Sequence, residues 1–322
     1  MTGVSSAAVA EVVPGTPKPS STRLLSSTHT LTLPPAHDTS RRTSIAFILR
    51  ELWSSRDLVA QFVMRDISIR YTQAVMGFAW ALLMPMLIVG AGMIFRVVVS
   101  TLSGTPVDSA SIASLAIKAL PWAFFSGAIS LATQSIIAHA NLIGKIYFPR
   151  EALPVASVIA QLPDFAAGLL LVAVLLPVLG VGFSWVALTA IVPIALLILF
   201  TIGVALILSC ANLFYRDIKY IVQVVMSFGV FATPVFFEPQ MLGPKYASVM
   251  MALPLSPFIQ AIELAVVRHH NLLEPLALPS SKGPVTVWEP WMLLYAAGCT
   301  GVVLVGGLLL FRRASSRFAE MA

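Results

Sequence analysis

The stretch "SWVALTAIVPIALLILFTIGVALILS", residues 184–209, decides the fold class of this chain. It contains no Asp, Glu, Lys or Arg, and it is long enough to cross a membrane. A helix needs about 20 mainly apolar residues to span a hydrocarbon core of roughly 30 Å. The whole chain of 322 residues is 58% hydrophobic and only 11% charged, whereas soluble domains carry about 25% charged residues. The sequence therefore predicts an all-α, polytopic membrane protein.

Six segments of this kind predict six transmembrane helices. Pro234 interrupts the fifth near its end, which makes that segment the weakest. The six helices would form one transmembrane domain, 46–322, behind an N-terminal cytoplasmic tail, 1–45, whose Ser, Thr, Pro and Ala content predicts disorder. The predicted spans are about 75–99, 115–138, 154–179, 184–209, 219–237 and 291–311.

The basic residues predict the orientation. Lys and Arg precede the first span and recur in the second-to-third connection, the fourth-to-fifth connection and the C-terminal tail. The connections 100–114 and 180–183 contain none. Because short cytoplasmic loops are enriched in Lys and Arg, both termini are predicted to lie in the cytoplasm, with the chain in a plasma or inner membrane. The net charge of +6 thus reflects topology and does not indicate nucleic-acid binding.

The connection between spans five and six, about 238–290, is long and partly apolar. Pro254 and Pro257 break it into pieces too short to span. This pattern predicts helices that dip into the membrane and return. Two additional spans are the alternative.

The segment 51–71, "ELWSSRDLVAQFVMRDISIRY", has the pattern of an amphipathic helix at the membrane interface. Leu58 and Phe62 are four residues apart and share an apolar stripe. Asp66 and Arg70 have the spacing and order of an ion pair within one helix. From spacing alone, a membrane anchor and a partner-binding helix are equally good interpretations.

No known catalytic or metal-binding motif occurs in the chain. Around "GKI", residues 144–146, Ile146 stands where a phosphate-binding loop needs a hydroxyl, and His139 stands at its first glycine. Cys210 and Cys299 lie far apart in apolar runs and are predicted to pack as small side chains. We therefore predict no catalytic residue, metal or cofactor in this chain.

Three ionisable residues fall inside predicted spans, where burial of charge is costly. Lys118 and Arg96 lie near span ends and are expected to extend to the interface. Asp164 follows Pro163 well inside the third span. It is either a packed residue hydrogen-bonded to a neighbouring helix or the working group of an ion-coupled carrier.

A set of motifs on the predicted cytoplasmic side and at the span ends resembles the membrane (permease) subunit of ABC type 2 exporters. These exporters move bacterial surface polysaccharides such as O-antigen of lipopolysaccharide, capsule or teichoic acid. The resemblance covers roughly 45–315, and the order of the motifs makes it specific. The motifs are "RDISIRYTQAVMGFAWALLMPM" (65–86), "PWAFFSGAI" (121–129), "NLIGKIYFPREALPVASV" (141–158), "NLFYRDIKYIV" (212–222), "TPVFFEP" (233–239) and "LPLSPFIQAIE" (253–263).

The resemblance implies a half-transporter. Two copies of the chain would pair around a channel for a lipid-linked polysaccharide and would bind two copies of a separate ATPase, which holds ATP and Mg. The connection 141–151 corresponds to a coupling helix that contacts the ATPase. Its aromatic and charged side chains suit such a contact; they are Lys145, Tyr147, Phe148, Pro149, Arg150 and Glu151.

The same resemblance gives roles to other residues. Arg216 and Asp217 match the inner loop before the fifth span, as an ion pair or a second ATPase contact. The 51–71 segment corresponds to an interface helix at the channel entrance, with Arg56, Arg65, Asp66, Arg70 and Tyr71. Sugar faces pack on aromatic rings, so the candidates for the channel wall are Trp80, Trp122, Phe124, Phe125, Phe228 and Phe231.

Three alternatives remain open for the function. The same scaffold could export a drug or a small lipid. An ion-coupled carrier using Asp164 belongs to a different class, and it predicts transport driven by a pH gradient without ATP. A purely structural membrane subunit, the third possibility, predicts no transport defect when the coupling connection is changed.

Overall fold

The structure, a computed structural model, describes residues 45–72, 79–103, 108–140, 148–279 and 283–315. The predicted N-terminal tail lies outside these residues up to residue 44. Residues 141–147 of the predicted coupling connection, which include Lys145 and Tyr147, lie outside them as well.

The described chain is almost entirely helical. The helices are α1 Ile45–Ser54, α2 Arg56–Thr72, α3 Ala79–Ser103, α4 Ser109–Ala138, α5 Ala152–Ile159, α6 Leu162–Val178, α7 Ile191–Phe214, α8 Ile218–Phe228, α9 Pro239–Leu242, α10 Pro244–Met251, α11 Leu255–Val266 and α12 Pro290–Ser315. Short 3-10 turns cover Trp185–Ala190 before α7 and Gly229–Ala232 after α8.

Four helical segments are long and apolar enough to cross a membrane, namely Ser109–Ala138, Ala152–Val178, Trp185–Phe214 and Pro290–Ala314. They correspond to predicted spans two, three, four and six. Spans one and five correspond to shorter apolar helices, Met86–Thr101 and Ile218–Ala232. At 1.5 Å per residue, Ile218–Ala232 is shorter than a straight crossing needs, whereas Met86–Thr101 lies within the longer helix α3, Ala79–Ser103, of 25 residues. The multi-pass architecture is confirmed, and the count of six spans is not.

The third span is divided into two helices, α5 and α6, at a proline within it. Pro163 has no backbone N–H to continue a helix from α5, so the chain turns at Ala160 and Gln161 before α6 begins at Leu162. The break turns polar side chains, Gln161 and Asp164, towards a cavity.

Helix α4 forms the centre of the core, with apolar side chains such as Leu115, Phe124 and Ile129 almost completely buried. A second contact joins α7 to α12 at unusually short range. A Cβ atom on Gly203 would lie 2.7 Å from the backbone nitrogen of Leu304, and one on Gly307 would lie 2.7 Å from the Gly203 carbonyl oxygen. Small residues let these two helix backbones touch, as is common in membranes.

The connection between predicted spans five and six folds into short elements. Helices α10 and α11 meet at a bend of 105°, as the prolines in this segment predicted. Every residue of α11 except Val266 is buried. A hairpin follows, with β1 Leu276–Leu278 antiparallel to β2 Val285–Trp288. This small sheet is an addition to the predicted all-α fold.

Candidate functional site

Three cavities lie along α4, each lined by a different part of this helix. The part near Ser130–Gln134 lines a cavity of about 460 Å³, and the middle of the helix lines one of about 620 Å³. The part at Ala110–Ser114 lines a third of about 300 Å³. We call the first the Lys219 cavity, after a residue of its lining, and the second the central cavity. The third is the Glu238 pocket, since Glu238 lines it. The first two share Ser130 and Gln223.

The central cavity combines aromatic surfaces with hydrogen-bonding groups. Gly127 lets one of these groups approach α4, since a Cβ atom there would lie 3.2 Å from the side-chain amide of Gln161. Such a mixture suits an amphipathic, hydroxyl-bearing ligand. The aromatic residues are Trp122, Phe124, Phe165, Phe231 and Phe236, and the polar ones are Ser126, Ser130, Gln161, Asp164, Gln223 and Ser227.

Asp164 lies in the wall of this cavity and is fully engaged with α2. The carboxylate accepts hydrogen bonds from Arg70 Nη1 at 2.6 Å, from Gln161 Nε2 at 2.9 Å and from the Tyr71 hydroxyl. Arg70 also donates to Gln161 Oε1 at 2.9 Å. We call these four residues the Asp164 contact. Burial and the bond to Asp164 raise the pKa of Tyr71 to about 12, so its hydroxyl keeps the proton that it donates.

The Asp164 contact bears on two predictions. Asp164 is packed and hydrogen-bonded to a neighbouring helix, in agreement with one of its two interpretations, and its role in ion coupling stays a prediction. The Asp66–Arg70 ion pair within the amphipathic helix is wrong, because Arg70 turns to Asp164 and Asp66 pairs with Arg65 at 3.3 Å. The Asp164 carboxylate, 11% exposed, is a less screened partner for Arg70 than the Asp66 carboxylate, 21% exposed.

The predicted apolar stripe of α2 packs against the end of the coupling connection. Phe62 is buried with its ring centroid 5.6 Å from that of Phe148. Leu153 and Ala156 of α5 complete the cluster. The Ser157 hydroxyl donates weakly to Asp66 across the same boundary, at 3.4 Å. The amphipathic helix is therefore bound to the segment after the coupling connection rather than lying free.

Glu151 connects the coupling segment to both ends of the described chain. Its carboxylate lies 2.6 Å from Arg312 Nε of α12, and Arg312 also binds Glu51 of α1. Glu151 is only 3% exposed, and burial raises the pKa of its carboxyl. We expected Glu151 to contact a partner; instead it fixes the position of the segment from within the chain.

The other predicted contact residues lie at the same end of the molecule. Phe148 and Pro149 are buried, whereas Arg150 is half-buried. Arg216 and Asp217 are both exposed, and within the described ranges no ion pair joins them. Arg56 is exposed beside Asp57, 3.8 Å away.

The predicted channel residues divide into two groups. Trp122, Phe124 and Phe231 line the central cavity. Phe125 does not, because its ring stacks on Phe200 in the core, 6.1 Å between centroids. Phe228 is 68% exposed on α8, away from the cavity lining. The side chain of Trp80 lies outside the described residues.

At the Ser109 end of α4, acidic and basic side chains form a buried cluster. Glu238 binds Arg96 of α3 and lies 3.5 Å from Arg268, which also donates to Glu263 at 2.9 Å. Lys118 is completely buried beside these carboxylates. We call the five residues the Glu238 cluster. The expectation that Lys118 and Arg96 extend to the interface is wrong. Both are buried: Arg96 binds Glu238, and Lys118 lies close to Glu238 and Glu263 without a hydrogen bond to either.

Sequence reasoning missed the carboxylates of this cluster and the amides of the central cavity. A usable signal was present in α11, where Ser256, Gln260 and Glu263 are spaced by four and three residues within an apolar run. That spacing places all three on one face of a helix. Glu238 gave no such signal, because its partners are distant in sequence.

No family model matches the chain. Curated relatives do. An O-antigen export system permease protein RfbA from Myxococcus xanthus is 28% identical over 249 residues, covering 75% of this chain and 92% of the relative. Two proteins of the same name from Klebsiella pneumoniae are 26% and 25% identical, each covering 82% of this chain and 95% of the relative.

These relatives match the chain over most of its length, and their names agree with the ordered motifs. The prediction from the motifs is confirmed: this multi-pass membrane protein resembles the permease subunit of ABC type 2 O-antigen export systems over most of its sequence.

Proposed function

We propose that this chain is the membrane subunit of an ATP-driven exporter that moves a lipid-linked surface polysaccharide out of the cytoplasm. Two copies would form the channel and bind two copies of a separate ATPase, which carries ATP and Mg. Both termini would face the cytoplasm, as the Lys and Arg distribution predicts.

The composition of the central cavity carries this proposal. Sugar rings present apolar C–H faces and polar hydroxyls, and the cavity offers both aromatic rings and serine and amide groups. A drug or small lipid would need fewer hydrogen-bonding groups than this wall provides. The relatives named as O-antigen export permeases support the same class of cargo.

The contacts of α2 suggest how a partner's motion would reach the cavity. A push on the coupling connection would act on Phe148, which packs on Phe62 of α2. Near its far end the same helix carries Arg70, which is bonded to Asp164 in the cavity wall. A rigid helix bound at both points would transmit a displacement from one to the other.

Copurification and surface glycan together test this proposal. The tagged chain would be purified in mild detergent from its native membranes, and surface glycan would be measured in the same cells. The test variant is Tyr147→Ala, which removes a predicted aromatic anchor. The control is Tyr246→Ala, at a tyrosine that is 61% exposed on α10.

We expect a Walker-type ATPase to copurify with the parent chain and the control but to be lost in Tyr147→Ala, with loss of surface glycan. If no ATPase copurifies with the parent chain under several mild conditions, or if glycan export continues without one, the proposal is wrong. Under the alternative carrier, a pH gradient alone would drive transport.

A further inference from the structure

The Glu238 pocket lies at the Ser109 end of α4 and differs in chemistry from the central cavity. Its volume of about 300 Å³ is at the lower end of the range for small-ligand sites, about 300–1,000 Å³. Its wall has no aromatic residue among those described. The lining residues are Asp108, Ala110, Ser111, Ser114, Glu238, Gln240, Glu263, Val267 and Arg268.

Polar atoms in and beside this pocket have no hydrogen-bond partner among the described residues. In the lining these are the Ser114 hydroxyl, in a residue only 2% exposed, and Gln240 Oε1. Beside the pocket, Lys118 Nζ of α4 and Gln260 Oε1 of α11 also have no hydrogen-bond partner among the described residues. Burying such groups unbonded costs about 1–3 kcal/mol each, so a hydrogen-bonding ligand or water is expected to satisfy them.

The charges of the lining limit the class of ligand. Asp108, Glu238 and Glu263 contribute carboxylates, whereas Arg268 is the one cation among the residues that line the pocket. Arg96, which binds Glu238, and Lys118 lie directly behind the lining and balance the other two carboxylates. With three acidic and three basic side chains, the region offers no excess of either charge to an ion, and a neutral hydrogen-bonding ligand suits it better. Carboxylates, amides and a serine hydroxyl are the groups that bind neutral sugar hydroxyls.

The pocket also lies near the central cavity along the chain. Phe236 lines the central cavity, and Glu238, two residues later, lines the pocket. The pocket therefore lies beyond the central cavity towards the Ser109 end of α4, which is the outer end in the proposed orientation.

We propose that the Glu238 pocket is a second binding site for neutral, hydroxyl-bearing sugar units of the cargo. It rests on the proposed function, because the central cavity must carry a glycan for a unit to reach it. The pocket binds by hydrogen bonds to Ser114, Gln240 and the carboxylates, without the ring contacts of the central cavity. With the cytoplasmic termini proposed above, it is the last site before release.

Cysteine labelling tests this site directly. Ala110 lines the pocket and is exposed, while the adjacent Ser109 is exposed and outside the lining. Ala110→Cys and Ser109→Cys would each be labelled with N-ethylmaleimide in membranes from cells that make the glycan. Parallel membranes would come from cells that lack its first glycosyltransferase. The parent chain, with Cys210 and Cys299, gives the background rate.

We expect the glycan to slow labelling of Ala110→Cys about threefold, as two-thirds occupancy would, and to leave Ser109→Cys unchanged. Equal labelling of Ala110→Cys with and without glycan, in cells that display glycan on the surface, overturns this site and leaves the proposed function intact. If the chain supports no surface glycan at all, the proposed function fails and this site fails with it.

A pair of substitutions gives a second reading. Ser114→Ala with Gln240→Ala removes two hydrogen-bonding groups, each worth about 1 kcal/mol or about fivefold. We expect surface glycan per copy of the chain to fall, while Ser248→Ala, at an exposed residue of α10, leaves it unchanged. Unchanged glycan per copy in the double variant would show that the pocket only supports packing, which also overturns the site.

Discussion

The Asp164 contact and the Glu238 cluster are both built from ion pairs at the ends of membrane helices, yet they differ in completeness. In the first, the carboxylate accepts from Arg70, Tyr71 and Gln161, and no side-chain nitrogen or oxygen of these four residues is buried without a partner. In the second, Arg96 Nε and Lys118 Nζ have no hydrogen-bond partner among the described residues.

Complete and incomplete hydrogen bonding suit the two regions to different roles. A fully bonded polar group fixes two elements in one arrangement, because any displacement leaves a buried group unsatisfied. That suits the joint between α2 and the cavity wall. An incompletely bonded cluster retains the capacity to bind something else, which suits a site where cargo exchanges hydrogen bonds.

Removing the central carboxylate of the Glu238 cluster is the most severe test. Glu238→Gln leaves Arg96, only 6% exposed, without its acidic partner. Breaking a buried pair by neutralising one member costs about 3–5 kcal/mol. We expect a large fall in the thermal midpoint of unfolding in detergent, with Glu274→Gln, at an exposed residue, as control. A midpoint equal to that of the parent would contradict the burial of this pair.

Asp164→Asn has the next largest expected effect, because it removes the charge that binds Arg70. Hydrogen bonds to a charged group contribute about 1.5–3 kcal/mol to stability. Because Arg70 is partly exposed, we expect the free energy of unfolding to fall by an amount in the lower part of that range. Transport should remain dependent on ATP. Loss of a transport driven by a pH gradient would instead favour the ion-coupled carrier.

The incompleteness of the Glu238 cluster predicts a contrast between two of its cations. Arg96→Met removes the partner of Glu238 and should destabilise the protein clearly. Lys118→Met removes a buried amine that makes no hydrogen bond with the described residues. Since Lys118 forms no ion pair or hydrogen bond with the described residues, its removal leaves no bonded carboxylate without its partner, and we expect a smaller shift in the unfolding midpoint. Equal shifts of the unfolding midpoint for Arg96→Met and Lys118→Met would contradict the prediction that, of the two, only Arg96 is bonded within the cluster.

Tyr71→Phe should have the smallest effect, about 0.5–1.5 kcal/mol for one hydrogen bond. The pKa of Tyr71 is raised to about 12 from an ordinary value of 10.0, so its contribution is complete below pH 10. It is lost as the pH rises through 12. The difference in unfolding midpoint between parent and Tyr71→Phe should therefore shrink over that interval. A difference that grows with pH would contradict the direction of the shift.

Much of the architecture could be predicted from the sequence because it depends on local composition. The apolar runs identified the long membrane helices, and the prolines at 254 and 257 predicted the bend between α10 and α11. Leu58 and Phe62 predicted the buried face of α2, since helical periodicity alone determines which side chains share a face. The number of complete crossings did not follow, because the apolar helix Ile218–Ala232 is too short for a straight crossing.

The candidate site was predicted only in part. Trp122, Phe124 and Phe231 are in the wall of the central cavity as expected, because large aromatic residues in a span must pack on a core or face a cavity. Phe125 and Phe228 carry the same signal, yet one is packed against Phe200 and the other is exposed. Their sequence contexts do not distinguish these fates.

Apolar runs, prolines and ordered motifs were enough to predict a multi-pass membrane protein, the positions where its helices bend, and the permease subunits that it resembles. The ion pairs became visible only in the folded chain, where Arg70 binds Asp164, Arg312 binds Glu151, and Arg96 and Lys118 are buried among Glu238 and Glu263. Apolar runs and periodicity act over one or two helical turns. An ion pair in a low-dielectric interior instead selects its partner by distance in space, and here the partners are separated by 94 to 161 positions along the chain.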